Sequence, residues 1–133
     1  MKARILLIED DADLIELFTD ALIASGYNVD KFTNPLEALS VFEHNPNNYD
    51  LILSDVRMPE INGIELIKKM KDINESINCV LMSAFDVGDY EEEMKELELK
   101  TFMRKPMHIE QLVNAVGECL NRSNKTNRTE KIH

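Results

Sequence analysis

The 133-residue chain has no tryptophan, two cysteines, four glycines and four prolines. So few chain breakers exclude a fibrous or low-complexity protein. Cys79 and Cys119 lack the paired spacing of a zinc cluster or a disulfide framework, and His44, His108 and His133 share no metal-ligand spacing. The bland reading is two reduced thiols and three surface imidazoles. No apolar run approaches the roughly 18–20 residues of a membrane span. Met1-Lys2-Ala3-Arg4 leads into a short run that ends at acids rather than a cleavage site, so the expectation is a cytoplasmic protein with no membrane association. Basic side chains are also scarce, 15 against 25 acids for a net charge of -10, which disfavours direct contact with nucleic acid or anionic lipid.

What is present is the composition of a folded globular protein, 44% hydrophobic with 30% charged. The length suits one domain with its own core. That domain is expected over residues 1–121, with 122–133 a polar flexible tail or the start of a linker. The tail holds four basic residues and one acid, leaving 11 basic and 24 acidic groups, or -13, in the body.

Short apolar runs alternate with longer segments of helical period. Arg4 to Ile8, Asp50 to Ser54 and Asn78 to Met82 are nearly continuous apolar stretches, as expected of strands buried on both faces of a parallel sheet. Tyr27 to Phe32 and Thr101 to Met103 are weaker strands, suited to edges. Leu14, Leu17, Phe18, Leu22 and Ile23 are expected on one buried helical stripe that stops at Ser25-Gly26. Further helices are expected near 35–45, 63–73, 88–98 and 108–121, the first opened by Asn34 as N-cap and Pro35 at its first position. Strict alternation of this kind implies an α/β fold, a doubly wound parallel sheet with helices on both faces. Ligands in such sheets bind outside the carboxyl ends of the strands.

Three strands end in groups suited to chemistry. The first runs into Glu9-Asp10-Asp11, the third into Asp55 and the fourth into Ser83; the fifth leads to Lys105-Pro106. In a parallel sheet these ends share one edge. Two like charges about 4 Å apart repel by about 4 kcal/mol at an effective dielectric near 20, so the acids need a cation or a proton. Oxygen donors with no nearby His or Cys suit Mg2+, which uses one or two carboxylates and bridges to phosphate. A carboxylate can serve as nucleophile in phosphoryl transfer, with metal and ammonium offsetting charge on the equatorial oxygens. Lys105 offers the ammonium and Ser83 a hydroxyl donor. The acidic run Glu91-Glu92-Glu93 reads as a solvated helix face.

Four stretches carry a resemblance: Ile5 to Asp11; Leu51 to Pro59 with Gly63 following; Val80 to Ala84; and Phe102 followed by Lys105-Pro106. In this order they resemble the response-regulator receiver domain of two-component phosphorelays, over about residues 3–121. The resemblance implies a flavodoxin-like (βα)5 fold with strand order 2-1-3-4-5. It implies a phosphoprotein, not an enzyme in the usual sense, that accepts a phosphoryl group on Asp55 from a sensor histidine kinase, a phosphotransfer protein or a small acyl phosphate. The implied cofactor is Mg2+, held by Asp10, Asp55 and the Arg57 backbone carbonyl, with Glu9 acting through water. Lys105 would contact the phosphoryl group, and the Lys105-Pro106 bond would be cis. Ser83 and Phe102 match the hydroxyl and aromatic switch positions, Phe102 having ordinary core packing as its bland alternative. Signalling would pass through the fourth helix, fifth strand and fifth helix to a protein target or output domain. Arg57 and Phe85 would flank the path of attacking water. Asp11, next to the acid pair, is expected as a helix N-cap.

The sequence departs from the family pattern in places. The interval from Asp55 to Ser83 is short, so the third helix or its exit loop is expected to be trimmed. Glu98-Leu99-Lys100-Thr101 replaces the usual small residues before the switch aromatic, and Met107 replaces a frequent Phe. Three other readings remain open at this level. A Mg2+-dependent aspartyl-phosphate phosphatase wants two Asp separated by one residue after the first strand, where this chain has adjacent acids. A flavin mononucleotide carrier wants a hydroxyl- and glycine-rich loop there. A receiver-like interaction module without phosphorylation would not need the acids and lysine that are kept.

Overall fold

The structure is a computed structural model describing residues 2–84, 88–97, 99 and 101–132. Five strands alternate with helices: β1 Arg4–Ile8, α1 Ala12–Ala24, β2 Asn28–Phe32, α2 Pro35–His44, β3 Leu51–Asp55, α3 Gly63–Ile73, β4 Asn78–Ser83, α4 Glu91–Glu96, β5 Thr101–Arg104 and α5 Ile109–Ile132. The strands form one parallel sheet in the order β2-β1-β3-β4-β5. The three apolar runs are the central strands, every residue of β3 being buried, and the two weaker strands are the edges.

Alternate residues of each strand feed two cores. Leu6, Ile8, Ile52 and Leu81 pack with Phe42 of α2 and Ile64, Ile67 and Met70 of α3. Ile5, Leu7, Leu53 and Val80 pack with Phe18 and Leu22 of α1 and Leu112 and Val116 of α5. Right-handed crossovers place successive helices on these faces, and the reversal of direction at β1 sets the strand order.

Helix starts follow local chemistry. Asp11 Oδ1 accepts hydrogen bonds from the amides of Asp13 (2.9 Å) and Leu14 (3.1 Å), and Asn34 Oδ1 accepts from Leu36 N at 2.9 Å ahead of Pro35. α1 ends at Ser25, with Gly26 at φ 99 turning the chain into β2.

Three expectations are corrected. In α1 the buried side chains are Ile15, Phe18, Thr19 and Leu22, while Leu17 (51% exposed) and Ile23 (55% exposed) face outward. The helix carries more large apolar residues than one side can bury. Thr19 takes a core position because its hydroxyl donates to Ile15 O at 2.6 Å. The helix expected over 88–98 is a 3-10 turn, Gly88–Tyr90, followed by the six-residue α4, which has no side-chain cap and no buried residue. Its consecutive acids have nothing apolar to bury, and among the described residues of the segment Tyr90, Met94 and Leu97, half-buried, hold it to the core. The last helix runs to Ile132 rather than 121, since no proline or glycine after Gly117 interrupts it.

Candidate functional site

The carboxyl ends of β1, β3, β4 and β5 meet on one edge of the sheet, in the register Ile8↔Ser54, Asp55↔Met82 and Ser83↔Arg104. Each strand thus delivers its following residues to the same place. Glu9 is fully buried, Asp55 is 7% exposed and Asp10 is exposed. One carboxylate oxygen from each of Glu9, Asp10 and Asp55 can be chosen so that all three lie within 4.8 Å of one another. This trio was expected from sequence.

Lys105 reaches in from the end of β5, bonded through its ammonium to Glu9 Oε1 and lying 3.3 Å from Asp55 Oδ2. Its main chain is anchored too, Lys105 N donating to Ser83 O at 2.9 Å, and the Lys105–Pro106 bond is cis. Glu9 and Lys105 are 96 residues apart in sequence, and their direct contact was not expected. The expected role of Glu9 was as a water-mediated metal ligand beside Asp10, Asp55 and the Arg57 carbonyl, whereas its burial at the end of β1 puts it within reach of the ammonium that follows β5. Asp11 N donates to Glu9 Oε2 at 3.2 Å, so the residue that caps α1 also fixes the buried acid.

The electrostatics follow from burial. Desolvation raises the Glu9 carboxyl to about 7, opposed by its hydrogen bond to Lys105 and assisted by the charge of Asp55. Asp55 is raised chiefly by burial too, with the Lys105 ammonium opposing. Burial lowers Lys105, but the two carboxylates outweigh it and hold the amine above its ordinary value. Two buried acids facing one ammonium remain short of positive charge. A hard divalent cation among oxygen donors answers that deficit, so these residues fit Mg2+.

Ser83, Phe102 and Arg57 are the other expected residues that the structure describes. Ser83 is buried at the end of β4 beside Asp55's strand. Phe102, half-buried on β5, sits opposite Leu81 and packs against the core that contains Ile52 and Leu81. Arg57, exposed, follows Asp55 in the β3–α3 loop; Phe85, Glu98 and Lys100 lie outside the described residues. In that loop Glu60 has φ 73, and Ile61 N donates to Pro59 O at 2.8 Å, a tight γ-turn in a strained region for a side chain.

A 2-1-3-4-5 parallel sheet with an acid trio and a lysine at its carboxyl edge defines a flavodoxin-like (βα)5 protein with an acidic pocket. Residues 5–117 match the response regulator receiver domain, and the chain belongs to that family. It is a receiver of two-component, phosphoryl-accepting signalling. It is 32% identical over 120 residues to the sporulation initiation phosphotransferase F of Bacillus subtilis, covering 90% of this chain and 95% of that one. The polar-differentiation response regulator DivK of Brucella anthropi is 32% identical over 123 residues, covering 90% and 98%. A CheY-like receiver from Methanospirillum hungatei superimposes with a TM-score of 0.87, covering 95% of this chain and 99% of that one; at 21% identity it speaks to the fold alone. The non-phosphorylated HemR receiver domain of Leptospira biflexa is 27% identical with a TM-score of 0.82, covering 90% and 94%. Among the described residues no helix is long and apolar enough to cross a membrane.

Proposed function

We propose that Asp55 is the phosphoacceptor and that its donor is the phosphohistidine of a sensor kinase or phosphotransfer protein, with small acyl phosphates as substitutes. The observation carrying this reading is the Lys105 ammonium 3.3 Å from an Asp55 carboxylate oxygen, with Glu9 and Asp10 oxygens in the same cluster. An Asp55 oxygen forms the new O–P bond while the donor's P–N bond breaks, and the leaving imidazole takes a proton from solvent. Lys105 offsets charge on the transferring group, and the Ser83 hydroxyl donates to one of its oxygens. Relatives named as a phosphotransferase and as a differentiation regulator support a relay partner upstream and a protein partner or output domain downstream.

Asp10, Asp55 and the Arg57 carbonyl would hold Mg2+, with Glu9 acting through water; the ion supplies charge neutralisation for the incoming phosphoryl group. The exposure of Asp10 and the engagement of Glu9 with Lys105 support that division. Because a proton on Glu9 competes with the cation, Mg2+ affinity should fall as pH drops through about 7, by up to about tenfold per unit. For folding of the metal-free protein the pH dependence runs the opposite way. A carboxyl raised above its ordinary value of 4.5 binds its proton more tightly in the folded state, so this group adds stability to the metal-free protein as pH falls from about 7 towards 4.5. Calorimetric Mg2+ titrations at several pH values, with Glu9→Gln flattening the profile, check this; an unchanged profile in that variant counts against it.

Intact-mass measurement after acetyl phosphate and Mg2+ should show one added phosphoryl group. Steady turnover of a phosphomonoester without such an adduct would favour a phosphatase instead.

Ser83 and Phe102 are proposed as the switch. Movement of the Ser83 hydroxyl toward the phosphoryl oxygens would open space for the ring of Phe102, which is half-buried and lacks a hydroxyl, so packing alone sets its balance. Beryllium fluoride with Mg2+ should then shift amide NMR signals across α4, β5 and α5 as well as around Asp55. In Ser83→Ala the shifts should stay within the acidic pocket, and shifts confined there in the parent would remove the switch roles.

A further inference from the structure

The main-chain carbonyl of Asp55 is held by two residues that are not members of the carboxylate cluster, Ser54 and Gly63. Ser54, fully buried, points into the core under α2 and α3, and its hydroxyl donates to Asp55 O at 2.9 Å. The same carbonyl is approached by Gly63, the first residue of α3. A Cβ on Gly63 would stand 2.1 Å from Asp55 O, 3.0 Å from Asp55 C and 3.1 Å from Val56 Cα. The helix therefore starts in direct contact with the Asp55–Val56 peptide, closer than any side chain permits. Gly63 N donates to Val56 O at 2.7 Å, closing the intervening loop, and Val56 N donates to Met82 O at 2.9 Å, tying the same peptide to β4. Asn62 fixes the helix start, its Oδ1 accepting from Glu65 N at 2.9 Å.

We infer that Ser54 and Gly63 are positioning residues that set the height and pitch of Asp55 at the sheet edge, and with it the aim of its carboxylate. The inference rests on Asp55 being the phosphoacceptor. Asp55 is the last residue of β3, and the bond from Val56 N to Met82 O carries the pairing with β4 one residue further, while the Ser54 hydroxyl and the bare Cα of Gly63 hold the Asp55 carbonyl itself. A methyl group at Gly63 forces a displacement of about 1 Å between α3 and the Asp55 peptide, and misplacement on that scale costs about 10²-fold in a geometry-dependent transfer.

The test is the single-turnover rate of labelling by acetyl phosphate with Mg2+, read by intact mass on the full chain. Gly63→Ala should slow labelling about 10²-fold. Ser54→Ala should slow it about tenfold, the equivalent of one hydrogen bond, and Ser54→Thr, which keeps the hydroxyl, should recover most of that loss. Met70→Ala, on the buried face of α3 about two turns beyond Gly63, lowers the melting temperature through a core cavity and serves as a stability control. It should label at the parent rate. Parent rates in Gly63→Ala and Ser54→Ala, or equal slowing in Met70→Ala, overturn the positioning roles. The phosphoacceptor assignment is judged separately: labelling that survives Asp55→Asn overturns it and the positioning roles together, whereas loss in Asp55→Asn with parent rates in Gly63→Ala overturns the positioning roles alone.

Discussion

Asp55→Asn is expected to leave no detectable phosphoryl adduct after acetyl phosphate and Mg2+, while the protein stays folded. The amide has the shape of the carboxylate but not its nucleophilic oxygen anion, so loss should be complete rather than graded. Folding should survive because the residue's burial comes with an unfavourable charge balance. Its carboxyl is raised by burial, and the Asn removes one of two acids competing for Lys105. Removing the charge should also weaken Mg2+ binding, since one of the three clustered carboxylates is lost. Circular dichroism and intact mass on the same sample check both halves. An adduct of undiminished yield would move the acceptor elsewhere, and the exposed Asp10 would be the next residue to replace.

The largest expected effect on stability is at the opposite end of the sheet. Phe42 is fully buried between α2 and the core formed by Ala38, Ile52 and Met70, and its ring stacks on Tyr49 at a centroid distance of 6.4 Å and an angle of 20°. Phe42→Ala should cost about 3–5 kcal/mol, the transfer of an aromatic side chain plus the cavity it leaves. Against a typical total of about 5–15 kcal/mol, that brings the protein close to unfolding. Tyr49 gives the neighbourhood little freedom to collapse. Its hydroxyl donates to Asp30 at 2.6 Å, Asp30 in turn pairs with Arg4, and burial with that carboxylate pushes the phenol up to about 12. Urea unfolding should show the midpoint falling with the slope unchanged. A loss below about 1 kcal/mol would mean that the site refills.

Elements of this fold differ in how far local sequence determines them. The central strands β1, β3 and β4, the caps Asp11 and Asn34, and the stop at Gly26 were legible because each depends on residues within a few positions of itself. The membership of the acid cluster was legible for a related reason. Parallel strands put all carboxyl ends on one edge, so knowing which residues end the strands is enough to predict that Glu9, Asp10, Asp55 and Lys105 meet.

Other features were set by contacts that no local pattern encodes. In α1, six large apolar residues are compatible with more than one rotation of the helix about its axis, and only packing on β1 and against α5 selects Ile15, Phe18 and Leu22 over Leu17 and Ile23. The short α4 reflects what is missing beneath it rather than helix propensity, since a run of acids over a half-buried rim has no apolar stripe to anchor. Which acid Lys105 grips, and how closely Gly63 approaches Asp55, depend on where a strand and a helix from distant parts of the chain come to rest. The sequence by itself determined the alternation, the caps and the chemistry available at the sheet edge, because periodicity and capping act over one or two turns. Tertiary structure decided burial, charge state and aim at that edge, because these depend on distances between elements fixed only when both faces of the sheet are packed.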